Sequence, residues 1–254
     1  MILRAADAFG RADYKMIARR SLDFMVKELL TPAGAFMASL SAVDDAHIEG
    51  GYYLWDENQL TALLGSRERR VYRLAWGMIE AAPFDSGYLP VKAMEPAEIA
   101  KEMELSTSEV EKLLASAVHK LYAARSQRGL PKDTKLLAGW NGLALSAFAY
   151  AARVTGNSGD RQVARGVRDY LMQELWDDGS LHRAVSGGRV LGRAAVEDYA
   201  YVAQGLLSWA EATGQERDFM FARRVALAAW TRFYRSRGWR LAEASLIQAE
   251  AAEI

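Results

Sequence analysis

Cysteine is absent from this 254-residue sequence, so a disulfide framework, a thiolate metal site and a redox dithiol are all excluded. That suits a reducing compartment, and a cytoplasmic location is expected. Net charge is absent too. The 32 Lys and Arg are offset by 32 Asp and Glu, and the basic residues are scattered along the chain. No field gathers a polyanion, so a nucleic-acid role is disfavoured. No run of about 18 apolar residues occurs, and residues 1–14 lack the basic start, apolar centre and small-residue cleavage site of a secretion signal; nothing points to a membrane.

What is present is the balance of an ordinary globular protein, 51% apolar and 25% charged, so disorder is not the default. No low-complexity linker or composition break divides the chain, and one domain over 1–254 is expected. Internal similarity is the strongest signal. Residues 140–167 align without a gap on residues 198–225 at a shift of 58: Ala152, Thr155, Gly156, Asp160, Ala164, Arg165 and Val167 recur as Ala210, Thr213, Gly214, Asp218, Ala222, Arg223 and Val225. The second half of the unit returns near the start, where Ala18-Arg19, Asp23-Phe24, Glu28-Leu29 and Gly34 resemble Ala164-Arg165, Asp169-Tyr170, Glu174-Leu175 and Gly179.

Each full unit reads as two helices joined at a Thr-Gly corner, since glycine adopts the left-handed conformation that ends a helix. Trp140 to Val154 is apolar almost all round and should be covered on every side, whereas Asp160 to Trp176 gathers Val163, Val167, Tyr170, Leu171 and Leu175 on one face and should be half solvated. These are an inner and an outer helix. Alternating inner and outer helices close into a ring with the inner-helix N-termini at a central cavity. The fold class expected is therefore all-α, an (α/α) toroid of repeated helical hairpins that is incomplete relative to (α/α)6. Helices are also expected over 12–30, 56–64 and 67–78, and from a Ser106-x-x-Glu109 capping box to about Gln127. Residues 36–55 and 180–190, with Gly50-Gly51 and Gly187-Gly188, read as loops or small β-hairpins, and 84–96 as a long surface connection.

The loops at the repeat starts carry Gly34-Ala35-Phe36, Ser41-Ala42-Val43-Asp44-Asp45, Glu49-Gly50-Gly51-Tyr52-Tyr53-Leu54-Trp55, Pro131-Lys132-Asp133-Thr134-Lys135, Trp140-Asn141-Gly142-Leu143 and Glu197-Asp198-Tyr199-Ala200. Together these resemble the thioredoxin-domain-containing protein family, over nearly the whole chain. The resemblance implies a C-terminal region similar to N-acylglucosamine 2-epimerase, within the six-hairpin glycosidase superfamily of (α/α)6 toroids, and so a carbohydrate-related site. This chain departs from the pattern by having no thioredoxin-like domain or Cys-x-x-Cys, with Thr134 and Glu197 where the family usually has Asp. It is also shorter than a complete toroid, which implies that the first inner helix and the last hairpin or two lie outside it.

The candidate site follows from the repeat. Trp140 and Asn141 open one inner helix where Asp198 and Tyr199 open the next, placing all four at matching positions on the mouth. A carboxylate at a helix N-terminus is stabilised as the anion, which suits a base or nucleophile; Asp and Asn there also serve simply as caps. Asp133 precedes the first of these helices and, with Asp198, would supply the two carboxylates of glycoside chemistry; its alternative is a turn closed by Asp133 beside a solvated Lys135. Trp140, Asn141, Tyr199, Arg183, Asp44 and Glu49 are the candidate substrate contacts. Asp44, Asp45, His47 and Glu49 fit no metal-binding spacing, so neither a metal nor a cofactor is expected. With only three histidines, none forming an evident pair, epimerase chemistry itself is unsupported. The expected function is a sugar-processing enzyme acting through Asp198 and Asp133 on a small sugar-like ligand. The alternatives are a non-catalytic binding or scaffold domain derived from a thioredoxin-domain protein, and a truncated fragment. The latter is suggested by the Ala- and Glu-rich tail, residues 241–254, and would leave inner helices to be covered by self-association or a partner.

Overall fold

The computed structural model describes residues 1–235 and 238–241. In chain order it contains α1 (Ile2–Phe9), α2 (Ala12–Glu28), β1 (Ser39–Leu40), a 3₁₀ turn (Gly51–Tyr53), α3 (Glu57–Leu63), α4 (Ser66–Ala75), α5 (Pro96–Glu102), α6 (Thr107–Arg125), β2 (Lys132–Asp133), β3 (Leu136–Leu137), α7 (Ala138–Thr155), α8 (Ser158–Gln173), β4 (Trp176–Asp177), β5 (Ser180–Ser186), β6 (Arg189–Arg193), α9 (Val196–Thr213), α10 (Glu216–Phe233), β7 (Tyr234–Arg235) and β8 (Gly238–Trp239). The expected all-α class, built of repeated helical hairpins with small β-hairpins between them, is what the chain forms. Among the described residues no helix is long and apolar enough to cross a membrane. The tail beyond Leu241, in which the sequence suggests an uncapped end, lies outside the described residues.

Contacts within the chain form two compact units, one of residues 1–39 with 133 onward and one of residues 40–132. The first unit holds the repeat. α7 and α8 begin 58 residues before α9 and α10 respectively, and the corners are alike: Gly156 and Gly214 take φ of 71° and 69° and donate to the carbonyls of Ala152 and Ala210. Gly10, at φ 64° and bonded to the Ala6 carbonyl, repeats this corner between α1 and α2. α1 thus matches the last turns of α7 and α9, at eight residues against eighteen in each.

The inner helices α7 and α9 run parallel with their backbones nearly touching. A Cβ on Gly142 would stand 2.5 Å from the Tyr201 carbonyl carbon, and one on Gly205 would stand 2.3 Å from the Gly142 oxygen. Further along, the Ser146 and Ser208 hydroxyls meet at 3.0 Å, and Arg153 reaches Glu211 at 3.5 Å. α7 is not covered on every side, as its composition suggests. Gly139, Gly142, Leu145 and Ala149 are buried, but Trp140, Leu143, Ala147 and Val154 form an exposed stripe.

The outer helices are joined by ion pairs in which an arginine of one helix reaches the first turn of the next. Arg19 of α2 donates through Nη1 to both oxygens of Asp160 at 2.8 and 2.7 Å. Arg168 of α8 donates through Nε to Asp218 at 3.0 Å and again through Nη2, and the Trp209 indole N–H donates to the other Asp218 oxygen at 3.0 Å. Asp218 is fully buried, a position a carboxylate tolerates only when its oxygens are met by donors. The β-hairpin of β5 and β6, which the sequence marks by Gly187-Gly188, pairs Ala184 with Leu191, and β3 and β4 flank β5 on its two halves.

The second unit packs α3 and α6 around Trp55, Leu60, Leu64, Tyr72, Met78, Ala117 and Leu121, while α5 packs with Val71, Leu74, Ile99 and Val110. The Ser106–Glu109 capping box forms as expected. α5 follows immediately on the long connection, with Pro at its first position, where a missing N–H leaves no helical bond unmade. Glu68 is buried and accepts both its Lys120 bonds at 2.9 and 2.7 Å. Burial pushes its carboxyl upward, but Lys120, Ser116 and the Gly65 N–H more than offset this and hold it below the usual range.

Two substitutions test these joints. Gly142→Ala or Gly205→Ala inserts a methyl into a backbone contact with no slack and should destabilise by about 1–3 kcal/mol, seen as a lowered midpoint in urea. Asp218→Ala strands Arg168 and the Trp209 N–H and should cost about 3–5 kcal/mol, with Trp209 fluorescence reporting the loss.

Candidate functional site

The first candidate site lies in the repeat-bearing unit, where α7 and α9 begin side by side. Asp198 is the third residue of α9, in its first turn, and is 7% exposed. Its Oδ2 accepts from the Ala195 N–H at 2.9 Å. Its Oδ1 lies 2.6 Å from where a Gly139 side chain would begin, and the Gly139 N–H is a further donor. Only glycine at 139 leaves room for this carboxyl, so the start of α7 makes the seat for the acid of α9.

Helix position predicts an anion-favouring environment for Asp198, but the structure reverses the direction. Burial pushes its carboxyl above the usual range, and Glu197 adds to the effect; the Ala195 and Gly139 N–H groups and the positive charge of Arg183 only partly offset it. Desolvation wins because the charge lies under protein while a helix terminus acts only as a partial charge. Asp198 thus holds its proton to higher pH than an ordinary aspartate, the reverse of what its helix position predicts.

Asp133 has the opposite environment. It is half-buried, with Lys135 Nζ at 2.8 Å and the Lys135 N–H on Oδ1 at 3.2 Å, and these hydrogen bonds hold it below the usual carboxylate range. The remaining residues divide. Trp140 is 55% exposed and Arg183 half-buried on β5, both with surface to offer. Asn141 is fully buried: its Oδ1 accepts from the Phe36 N–H at 2.7 Å while its amide donates to the Phe36 and Leu137 carbonyls at 3.0 Å. Tyr199 is buried against Trp176 and Phe233, and its hydroxyl accepts from the Leu181 N–H at 2.8 Å. Both therefore tie neighbouring segments together, whereas substrate contacts were expected there, and their polar atoms point inward. Neither acts merely as a helix cap.

A second candidate lies in the other unit, a pocket of about 490 Å³ bordered by Asp44, Asp45, Asp56, Gln59, Ser86 and Arg128. Asp44 Oδ1 accepts from the Ala46 and Ile48 N–H groups, each at 2.9 Å, which closes the turn and leaves Oδ2 beside Gly51. Glu49 is exposed and bridges Val43 through its backbone. Arg128, which the sequence does not single out, organises this wall. It donates to the Gly51, Tyr52 and Leu54 carbonyls at 3.2, 2.9 and 2.7 Å and lies 4.0 Å over the Trp55 ring. A lone Arg-Gly after a helix carries no signal of that role; only Gly129, whose Cβ would overlap Asp45, marks the place.

Opposite displacements of two carboxyls are directly measurable. Carboxyl-resolved NMR titration should find Asp198 titrating above, and Asp133 below, an ordinary aspartate. The linkage signs follow. The Asp198 contribution is fully present below its unfolded value and is lost as pH rises through its folded one; that of Asp133 is present above its unfolded value and lost as pH falls through its folded one. Replacing Asp198 by Asn should therefore remove the former dependence and leave the latter.

No family model matches the chain. In sequence it is 26% identical over 264 residues to human spermatogenesis-associated protein 20, covering 90% of this chain and 34% of that protein. It is 25% identical over 223 residues to the uncharacterized protein B0495.5 of Caenorhabditis elegans, covering 77% and 30%. The chain thus spans about a third of the length of these curated relatives. Among solved structures it is similar to a D-mannose isomerase, at 14% identity and TM-score 0.36 over 86% of this chain and 51% of that one. It is also similar to the GH76 alpha-mannanase BT2949 of Bacteroides thetaiotaomicron, at 12% identity and TM-score 0.39 over 91% and 74%.

Proposed function

We propose that the protein is a carbohydrate-processing domain of the (α/α)-toroid type, with Asp198 as general acid and Asp133 as base or nucleophile. The observation that carries this reading is the opposite tuning of these two carboxyls: one is driven toward its neutral form by burial, the other held ionised by Lys135. That division of labour is what cleavage or transfer at an acetal carbon requires. The neutral carboxyl protonates the leaving oxygen, and the ionised one activates water or attacks the sugar carbon. Trp140 offers a ring face to the apolar side of a sugar, and Arg183 offers a charged donor to its hydroxyls. On this reading the chain corresponds to the C-terminal region of thioredoxin-domain-containing proteins, working in the cytoplasm without a cofactor. Its support is the motif set and the similarity to spermatogenesis-associated protein 20 over 90% of the chain.

A second reading is a binding domain without catalysis. It is favoured by the two backbone N–H groups that meet the Asp198 carboxyl, a sufficient structural use for it. One experiment separates the two. Binding and turnover are measured across a panel of free sugars and glycosides for the wild type, Asp198→Asn, Asp133→Asn and Trp140→Ala. Catalysis predicts that each Asn variant lowers kcat by about 100-fold or more, while Trp140→Ala chiefly raises KM. Binding without turnover in the wild type selects the second reading, and no binding of any sugar defeats both.

A further inference from the structure

Among the described residues of the repeat-bearing unit, four arginines are half-buried: Arg19, Arg168, Arg183 and Arg232. Three of them are held. Arg19 pairs with Asp160 and Asp23, Arg168 pairs with Asp218 and Asp169, and Arg232 donates to the Gly179 carbonyl and the Ser180 hydroxyl at 2.8 and 2.5 Å. Arg183 makes neither a hydrogen bond nor an ion pair among the described residues. A guanidinium is always charged and carries five N–H donors, so half-burying one without a partner is unfavourable for the fold. Departures of that kind are expected where a ligand supplies what the fold leaves out.

The position of Arg183 is the start of the two inner helices. It lies on β5 between two ties to them: Ala184 pairs with Leu137, the residue before α7, and the Leu181 N–H donates to the Tyr199 hydroxyl in the first turn of α9. Asp198 feels the charge of Arg183 but is not its partner. That carboxyl is turned instead to the Ala195 N–H, at 2.9 Å, and the Gly139 N–H. Glu197 is exposed and forms no ion pair with Arg183 among the described residues. Opposite Arg183 on β6 stands Gly192, bracketed by the His182–Arg193 and Ala184–Leu191 pairs, and no atom lies within 4 Å of where a side chain there would begin. Tyr201 adds an aromatic surface beside the acid. Asp198 Oδ1 and Tyr201 Cδ2 lie 2.6 and 3.4 Å from where a Gly139 side chain would begin, and Tyr201 is 41% exposed.

We propose that the ligand of this site is a sugar bearing an oxyanion, a carboxylate or a phosphate group, and that Arg183 receives that group beside Asp198, with Tyr201 against the sugar ring. The inference rests on the carbohydrate reading proposed above and deepens it by naming the substrate class. Sugar hydroxyls would use the donors of Arg183 and leave its charge unmet. The oxygens of a carboxylate or phosphate match the planar fork and neutralise it as well. Burial of Asp198 serves the same end, since a neutral carboxyl neither competes for the guanidinium nor repels an incoming anion.

The test compares matched neutral glycosides, uronides and phosphorylated glycosides in the gluco, manno and galacto series. Affinity and turnover are measured with the full chain, its Arg183→Gln variant and its Arg183→Lys variant, at low and high salt. The wild type should favour the anionic members over their neutral counterparts by about 10- to 100-fold, the range of a hydrogen bond to a charged group. Whether uronide or phosphate leads identifies the oxyanion. Arg183→Gln should abolish the preference, while Arg183→Lys, which keeps the charge and loses the fork, should retain part of it. High salt should narrow the wild-type preference. Circular dichroism checks that each variant is folded; should glutamine prevent folding, the lysine variant and the wild-type salt series carry the test. Equal affinity for neutral and anionic members, or a preference that survives Arg183→Gln, would overturn this inference and leave the carbohydrate reading standing. Binding of no sugar, neutral or anionic, would defeat that reading and this inference together.

Discussion

The contact between the backbones of α7 and α9 is the constraint on which the repeat-bearing unit rests. Because Gly142 and Gly205 carry no side chain, two inner helices lie closer than any pair with Cβ atoms there would allow. Close approach brings their N-termini together, and the start of α7 then forms a seat for a side chain of α9. The outer helices follow from the same spacing: once the inner pair is in register, Arg168 can reach the buried first turn of α10 and satisfy Asp218. Packing, electrostatics and the candidate site thus share one geometric origin.

Burial then decides what the site can do. Asp198 and Asp133 are the same residue type, separated by environment alone. The first is enclosed by Gly139 and Ala195, so its charged form loses water; the second is half-buried and paired with Lys135. Burial sets the difference in proton affinity, and neither helix position nor residue identity announces it. Asn141 and Tyr199 illustrate the converse. Sited at the mouth by sequence, they turn inward and tie the α7 start to Phe36 and the α9 start to β5. The pocket of the other unit depends likewise on a residue of unremarked type, Arg128, whose guanidinium gathers the Gly51, Tyr52 and Leu54 carbonyls.

The unequal treatment of equivalent positions is the clearest physical lesson of the repeat. Trp140 and Asp198 are 58 residues apart and both third in their helices, yet one is exposed and the other buried. The surroundings differ: Asp198 is seated against Gly139 at the start of α7, while Trp140 lies on the exposed stripe of that helix.

By itself the sequence determined the all-helical class, the two full hairpins and their glycine corners, the Ser106–Glu109 cap and the hairpin at Gly187-Gly188. These are local and periodic properties, carried by backbone conformational preference and by the spacing of apolar residues. It also held a signal for the third corner, the Ala6 to Gly10 spacing repeated at Ala152–Gly156 and Ala210–Gly214, in a stretch too short to stand out by composition. Only the tertiary structure decided that the Asp198 carboxyl is buried, that Asn141 and Tyr199 turn their polar atoms inward, that α7 keeps an open stripe, and that Arg128 shapes a pocket wall. Each of these depends on which chain segment excludes water or donates a hydrogen bond at a point in space, and residues distant in sequence supply that environment.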